Sequence, residues 1–272
     1  MVVVAAMAIT AGTNGMMMSS WLLLQWSCAR RKSLCGNPYL RAPGDVKASP
    51  CKIPLAAKIA ATAFLAVLVP VYWHTYGLTN FLWFCDTALV LTVAGMWRES
   101  PLLISMCAVG ILLTQCLWLV DFGSRLLGIH LPGDLTSYMF DPHLPRFTRG
   151  LSLFHGWLPL LLVWLLVRLG YDKRALPAWT GLAAALLLVG YFFTPPAGAH
   201  PADPNTPINL NYVYGFNDLQ PQTWVNQNLY VILWLGALWL VAFLPTHLIL
   251  RRIFATPVLV PAANPFTVDR RN

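Results

Sequence analysis

Apolar runs close to twenty residues long recur along most of this chain, and no other feature restricts its fold as tightly. A helix of about 20 apolar residues crosses about 30 Å of hydrocarbon. The runs fall at about 53–73, 78–97, 101–121, 148–168, 176–194 and 224–249. Only 10% of the 272 residues are charged, where a soluble domain carries about a quarter. Charge this sparse cannot solvate the outside of a globule. The expected fold class is an all-α membrane protein, a bundle of six transmembrane helices. A seventh helix over residues 1–28 is the alternative, because that apolar stretch is broken by Thr13-Asn14-Gly15 and lacks the leading positive charge of a signal peptide.

The expected organisation has three parts. Residues 1–52 hold the amino-terminal apolar stretch and a basic cytoplasmic segment, 53–250 the six-helix transmembrane domain, and 251–272 a cytoplasmic tail. Links 74–77, 98–100 and 169–175 are short, so the helices they join pack antiparallel. Links 122–147 and 195–223 are long and polar, and the latter opens on Thr194-Pro195-Pro196, which stops a helix.

The net charge of +8 does not mark a nucleic-acid binder, because the basic residues cluster at the ends of the runs instead of forming a stripe. With both termini inside, fourteen Lys and Arg lie on the cytoplasmic side and three, Arg125, Arg146 and Arg149, on the outer side. That asymmetry follows the positive-inside rule and places a multi-pass protein in a plasma membrane, the bacterial inner membrane being the expected site. Trp73, Trp118 and Trp224 fall at outer helix ends, where an aromatic belt belongs.

Metal and cofactor signals are absent from the sequence. There is no C-x-x-C, no Cys/His ladder and no flavin, nucleotide or single-helix bis-histidine haem pattern, so neither metal nor cofactor is expected. Cys107 and Cys116 read as small apolar residues within runs.

The polar residues inside the runs gather at the outer end. Cys85 and Asp86 on the second run and His155 on the fourth are each seven or eight residues from it, roughly 10–12 Å deep at 1.5 Å per residue. An unpaired carboxylate there costs about 2.5–3.5 kcal/mol on insertion scales, so Asp86 should face the bundle interior. Thr148, Ser152 and His155, spaced by four and three, share one helix face. His74, Asn80, Asp121 and Asn211 lie at the same end and are expected to bind substrate together with Ser152. Asp86 reads as a base, a proton carrier, an orienter of His155 or a packing residue. His155 reads as an acid–base group or a strut between helices, and Cys85 as a nucleophile or a small apolar residue.

Three segments carry a family resemblance: Leu82-Trp83-Phe84-Cys85-Asp86, then Pro145-Arg146-Phe147 leading to Ser152-Leu153-Phe154-His155, then Asn209-Leu210-Asn211-Tyr212 before the last run. Over residues 53–250 the chain resembles the YwaF-like bacterial integral membrane proteins. Their suggested eukaryotic relatives include a transmembrane acyltransferase and the androgen-induced and androgen-dependent hydrolases of branched fatty-acid esters. The resemblance implies Cys85 as nucleophile and His155 as base, acting on membrane lipid as an acyl-ester hydrolase or acyltransferase. The first segment departs from the family pattern in lacking a His two residues before the Cys. Two other classes compete with this reading. One is a scaffold or subunit whose partner is another membrane protein; the other is a small proton-coupled transporter using Asp86 and His155.

Overall fold

The computed structural model describes residues 53–131 and 135–254. The amino-terminal stretch and basic segment expected over 1–52, and the tail from residue 255 onward, lie outside the described residues. Among the described residues every regular element is helical.

Helix α1 (Leu55–Tyr76) buries only Ala61, Leu68 and Tyr72. These residues, spaced by seven and four, form one narrow seam. A five-residue 3₁₀ turn (Leu78–Leu82) and the extended residue Trp83 precede α2 (Phe84–Arg98). Helix α3 (Pro101–Leu126) begins on a Ser100 side-chain cap with proline at its first position, where the missing N–H costs nothing. Residues Ile104–Ile111 of α3 are all buried. A helix apolar on every side belongs at the centre, and α3 contacts α2 and three later helices. These are α5 (Phe154–Leu169), α6 (Ala175–Phe193) and α8 (Leu244–Ile253). Gly110 leaves room for a side chain of α6, because a Cβ there would overlap the Trp179 ring. The short helix α4 (Arg146–Leu151) leads into α5, and α7 (Gln227–Leu238) joins α8 through one π-helical turn at Trp239–Phe243.

Five helical segments are long and apolar enough to cross a membrane: Leu55–Tyr76, Pro101–Leu126, Arg146–Leu169, Ala175–Phe193 and Gln227–Ile253. Their outward faces are strongly apolar, with Leu160, Phe193 and Ile232 at 72%, 79% and 68% exposure. Faces of this kind suit hydrocarbon, where the backbone bonds must close within the helix.

The structure corrects several expectations. The second run is not one continuous spanning helix. It breaks at Trp83, and the 15 residues of α2 extend only about 22 Å. Cys85 and Asp86 therefore occupy the first turn of α2 instead of lying two turns inside it. The fourth span has its own irregularity at Ser152–Leu153, between α4 and α5. Trp118 is buried at 7% exposure and is no belt residue, whereas Trp73 and Trp224 are exposed. Cys107 is buried as expected, but Cys116 is exposed. His247 on α8 is buried, and its Nδ1 lies 2.6 Å from the Tyr171 hydroxyl.

Candidate functional site

The break before α2 creates the first half of the site. Trp83 is extended, so the Leu82 carbonyl and the Phe84 amide lose their helical partners. The Asn211 side chain replaces both. Its Oδ1 accepts from Phe84 N at 3.0 Å, and its Nδ2 donates to Leu82 O at 2.9 Å. Asn209, Asn211 and Tyr212 all have positive φ, a region where Asn is favoured among non-glycine residues. Asn209 ties its own loop together, donating to the carbonyls of Gly215 and Asn217 and to Asp218, and accepting from Tyr214 N. Trp234 on α7 donates to the Asn211 carbonyl at 2.8 Å, and Tyr230 to that of Tyr212 at 3.2 Å. The Asn209–Tyr212 segment is thus a clamp between α2 and α7. Partial desolvation raises the Asp218 carboxyl of this surface loop above its ordinary range, against the opposing bond from Asn209 Nδ2.

Within that frame Asp86 is 4% exposed. Its Oδ2 accepts from the Cys85 thiol at 3.7 Å and, marginally, from Asn80 Nδ2 at 3.5 Å. Its Oδ1 is buried without a hydrogen-bond partner, and so is the Tyr76 hydroxyl. Tyr76 lies within electrostatic reach of both Asp86 and Arg149.

The second half sits at the start of α5. His155 is 8% exposed, and its Nδ1 lies 2.7 Å from the Ser152 carbonyl. A carbonyl only accepts, so Nδ1 carries the proton and Nε2 presents a lone pair. The imidazole is held between the rings of Trp118 (centroids 4.7 Å apart) and Phe154 (4.1 Å). Trp118 donates from Nε1 to the Tyr138 hydroxyl at 3.2 Å, and the Ser152 hydroxyl is bonded to the Tyr72 hydroxyl.

The structure brings Asn80, Cys85 and Asp86 together, and separately Ser152 and His155. Among the described residues no hydrogen bond joins Cys85 to His155. What lies between the halves is phenolic: Tyr138 is within reach of Ser152, Cys85 and Asp86, and Tyr72 of Ser152 and Asp86. Asp121 is engaged elsewhere. Its Oδ2 accepts from Thr136 N at 2.9 Å and Thr136 Oγ1 at 2.7 Å, and Arg125 lies 3.5 Å away. It thereby anchors the 3₁₀ turn Ser137–Phe140 that carries Tyr138. His74 is exposed and stands apart from the cluster. Among the described residues there is no group of three His, Cys, Asp or Glu able to hold a metal ion.

Tyr72, Tyr76, Trp118 and Tyr138 are the residues that sequence reasoning missed. Tyr72 and Tyr76, four apart at the polar end of the first run, did carry a signal of a shared helix face. Tyr138 carried none, because only the fold returns its loop to the bundle.

No family model, no curated protein and no solved structure matches this chain.

Proposed function

We propose that the chain is a multi-pass membrane enzyme of acyl-ester hydrolysis or acyl transfer, with lipid as substrate, distantly related to the YwaF-like proteins. In this reading α2 and its 3₁₀ lead-in form a sixth crossing. The termini are then cytoplasmic, the membrane is a bacterial plasma membrane, and the polar cluster opens toward the outer leaflet. The observation that carries the reading is the hydrogen bond from the Cys85 thiol to a buried carboxylate. A His with its Nδ1–H fixed and its Nε2 lone pair available stands at the same end of the bundle.

The thiol is bonded to Asp86, so Asp86 is the first proton acceptor and His155 serves the second step. Cys85 Sγ attacks the acyl carbonyl while its proton passes to Asp86 Oδ2. The negative charge thereby moves from the Asp86 carboxylate to the former carbonyl oxygen of the tetrahedral intermediate. The C–O bond of the ester breaks, and the leaving alcohol takes the proton from Asp86. Water or an acceptor alcohol then attacks the thioester, giving its proton to His155 Nε2. The C–S bond breaks, and the thiolate recovers that proton. The Tyr76 hydroxyl, with no other partner, is the donor available to the oxyanion.

A second reading, a non-catalytic subunit of a membrane complex, is favoured by one observation: the Cys85 thiol is already engaged as a donor to Asp86 Oδ2. An activated acyl probe on the reconstituted protein, read by mass spectrometry, separates the two. The enzyme reading expects adduct at Cys85, its loss in Asp86→Asn, and its accumulation in His155→Ala. Acylation of Cys85 no faster than that of buried Cys107 would leave the subunit reading in place.

A further inference from the structure

Beside the polar cluster runs an open groove of about 360 Å³, lined by Phe122, Met139, Phe140, Arg146, Arg149 and Leu153. Its floor is apolar, and Phe140 and Leu153 are 42% and 47% exposed. Its two charged lining residues are both arginines, one helical turn apart on α4. Arg149 donates from Nη1 to the Met139 carbonyl, while its Nε is buried without a partner. Arg146 is exposed. Among the described residues neither makes an ion pair, since the recorded pairs are Lys58–Glu99, Arg125–Asp121 and Arg174–Asp172. The neighbouring Asp141 caps the His143 amide instead. Two arginines without an ion pair among the described residues thus stand at an end of the bundle that is otherwise poor in basic residues.

The groove is contiguous with the cluster on two sides. Phe122 stacks on Trp118, which stacks on His155. Arg149 is within electrostatic reach of Tyr76, which in turn reaches Asp86.

We propose that this groove seats one anionic glycerophospholipid, its phosphate on Arg146 and Arg149 and an acyl chain along Phe122, Phe140 and Leu153. The inference names a substrate class and so rests on the lipid-directed reading of the cluster. The two anionic oxygens of a phosphodiester can accept from both guanidinium groups. An apolar floor with a cationic rim fits an amphiphile held at the membrane surface and does not fit a soluble anion.

The test is native mass spectrometry of the full chain in detergent, titrated with dioleoyl phosphatidylglycerol, dioleoyl phosphatidylcholine, oleate or glycerol 3-phosphate. One phosphatidylglycerol per chain should bind in preference to the other three. Arg146→Gln, which removes no described hydrogen bond, should weaken it about five-fold, the equivalent of about 1 kcal/mol. Arg149→Lys should retain more affinity than Arg149→Gln. Arg251→Gln/Arg252→Gln, at the opposite end, should change nothing. Equal binding of phosphatidylcholine, oleate or glycerol phosphate, or equal loss in the Arg251/Arg252 variant, would overturn the proposal. Preferential binding without any acyl adduct in the wild type would remove the enzyme reading alone, and adduct formation without preferential binding would remove only this one.

Discussion

Replacing Asn211 by alanine removes both side-chain hydrogen bonds that close the backbone break before α2. The Phe84 amide and the Leu82 carbonyl lose their only described partners, at about 1 kcal/mol each where water can partly replace the bond. Alanine must also hold φ at 54°, a left-handed conformation costing about 1 kcal/mol more for a residue with an ordinary Cβ. The sum is about 3 kcal/mol. For 150–250 cooperatively folded residues, that lowers Tm by roughly 6–12 °C. Asn211→Gly loses the bonds but carries no strain at this φ, and should recover about a third of the deficit. Asn211→Asp keeps the acceptor for Phe84 N, yet sets a carboxylate oxygen against the Leu82 carbonyl, and should be no better than alanine. Thermal unfolding of the detergent-solubilised protein, followed through the reactivity of buried Cys107, measures all three. A Tm for Asn211→Ala within 2 °C of wild type would refute the clamp. Equal Tm values for the glycine and alanine variants would refute the strain component.

Gly110→Ala should destabilise by at least about 1–3 kcal/mol, because the added methyl group overlaps the buried Trp179 ring. Trp179→Leu in the same chain should restore part of the loss, and additive effects of the two changes in Tm would contradict a shared contact. Acid should tighten the 195–223 loop. The Asp218 carboxyl is raised by partial desolvation, so its neutral form is the one the folded loop favours. Its contribution is complete below the ordinary carboxylate value near 4 and is lost as pH rises through the raised folded value. Amide protection in that loop, corrected for intrinsic exchange, should fall with rising pH in the wild type and stay flat in Asp218→Asn. An unchanged pH dependence in the variant would show that another group titrates.

The membrane class was legible from local properties alone. Run length, scarcity of charge and the tandem prolines after Thr194 act within a few residues, so the sequence by itself placed five long apolar helices to within a few residues. The gathering of polar groups at one end was legible for the same reason: a carboxylate or imidazole in an apolar run must turn toward the interior wherever the run is placed. What each polar group is bonded to depended on contacts distant in sequence. Asn211 reads as a loop residue until the fold places it on a backbone break 127 residues earlier, and Tyr72 meets Ser152 across 80 residues. The same holds for the break at Trp83. Its 3₁₀ turn, Leu78-Thr79-Asn80-Phe81-Leu82, contains neither proline nor glycine, and it persists because Asn211 satisfies the groups the helix gives up. Cys85 and His155 share one end of the bundle through hydrophobicity and length. That the thiol bonds to Asp86, with phenols between the two halves, was decided by tertiary packing, because hydrogen bonds are fixed by distances of a few tenths of an ångström that no periodicity encodes.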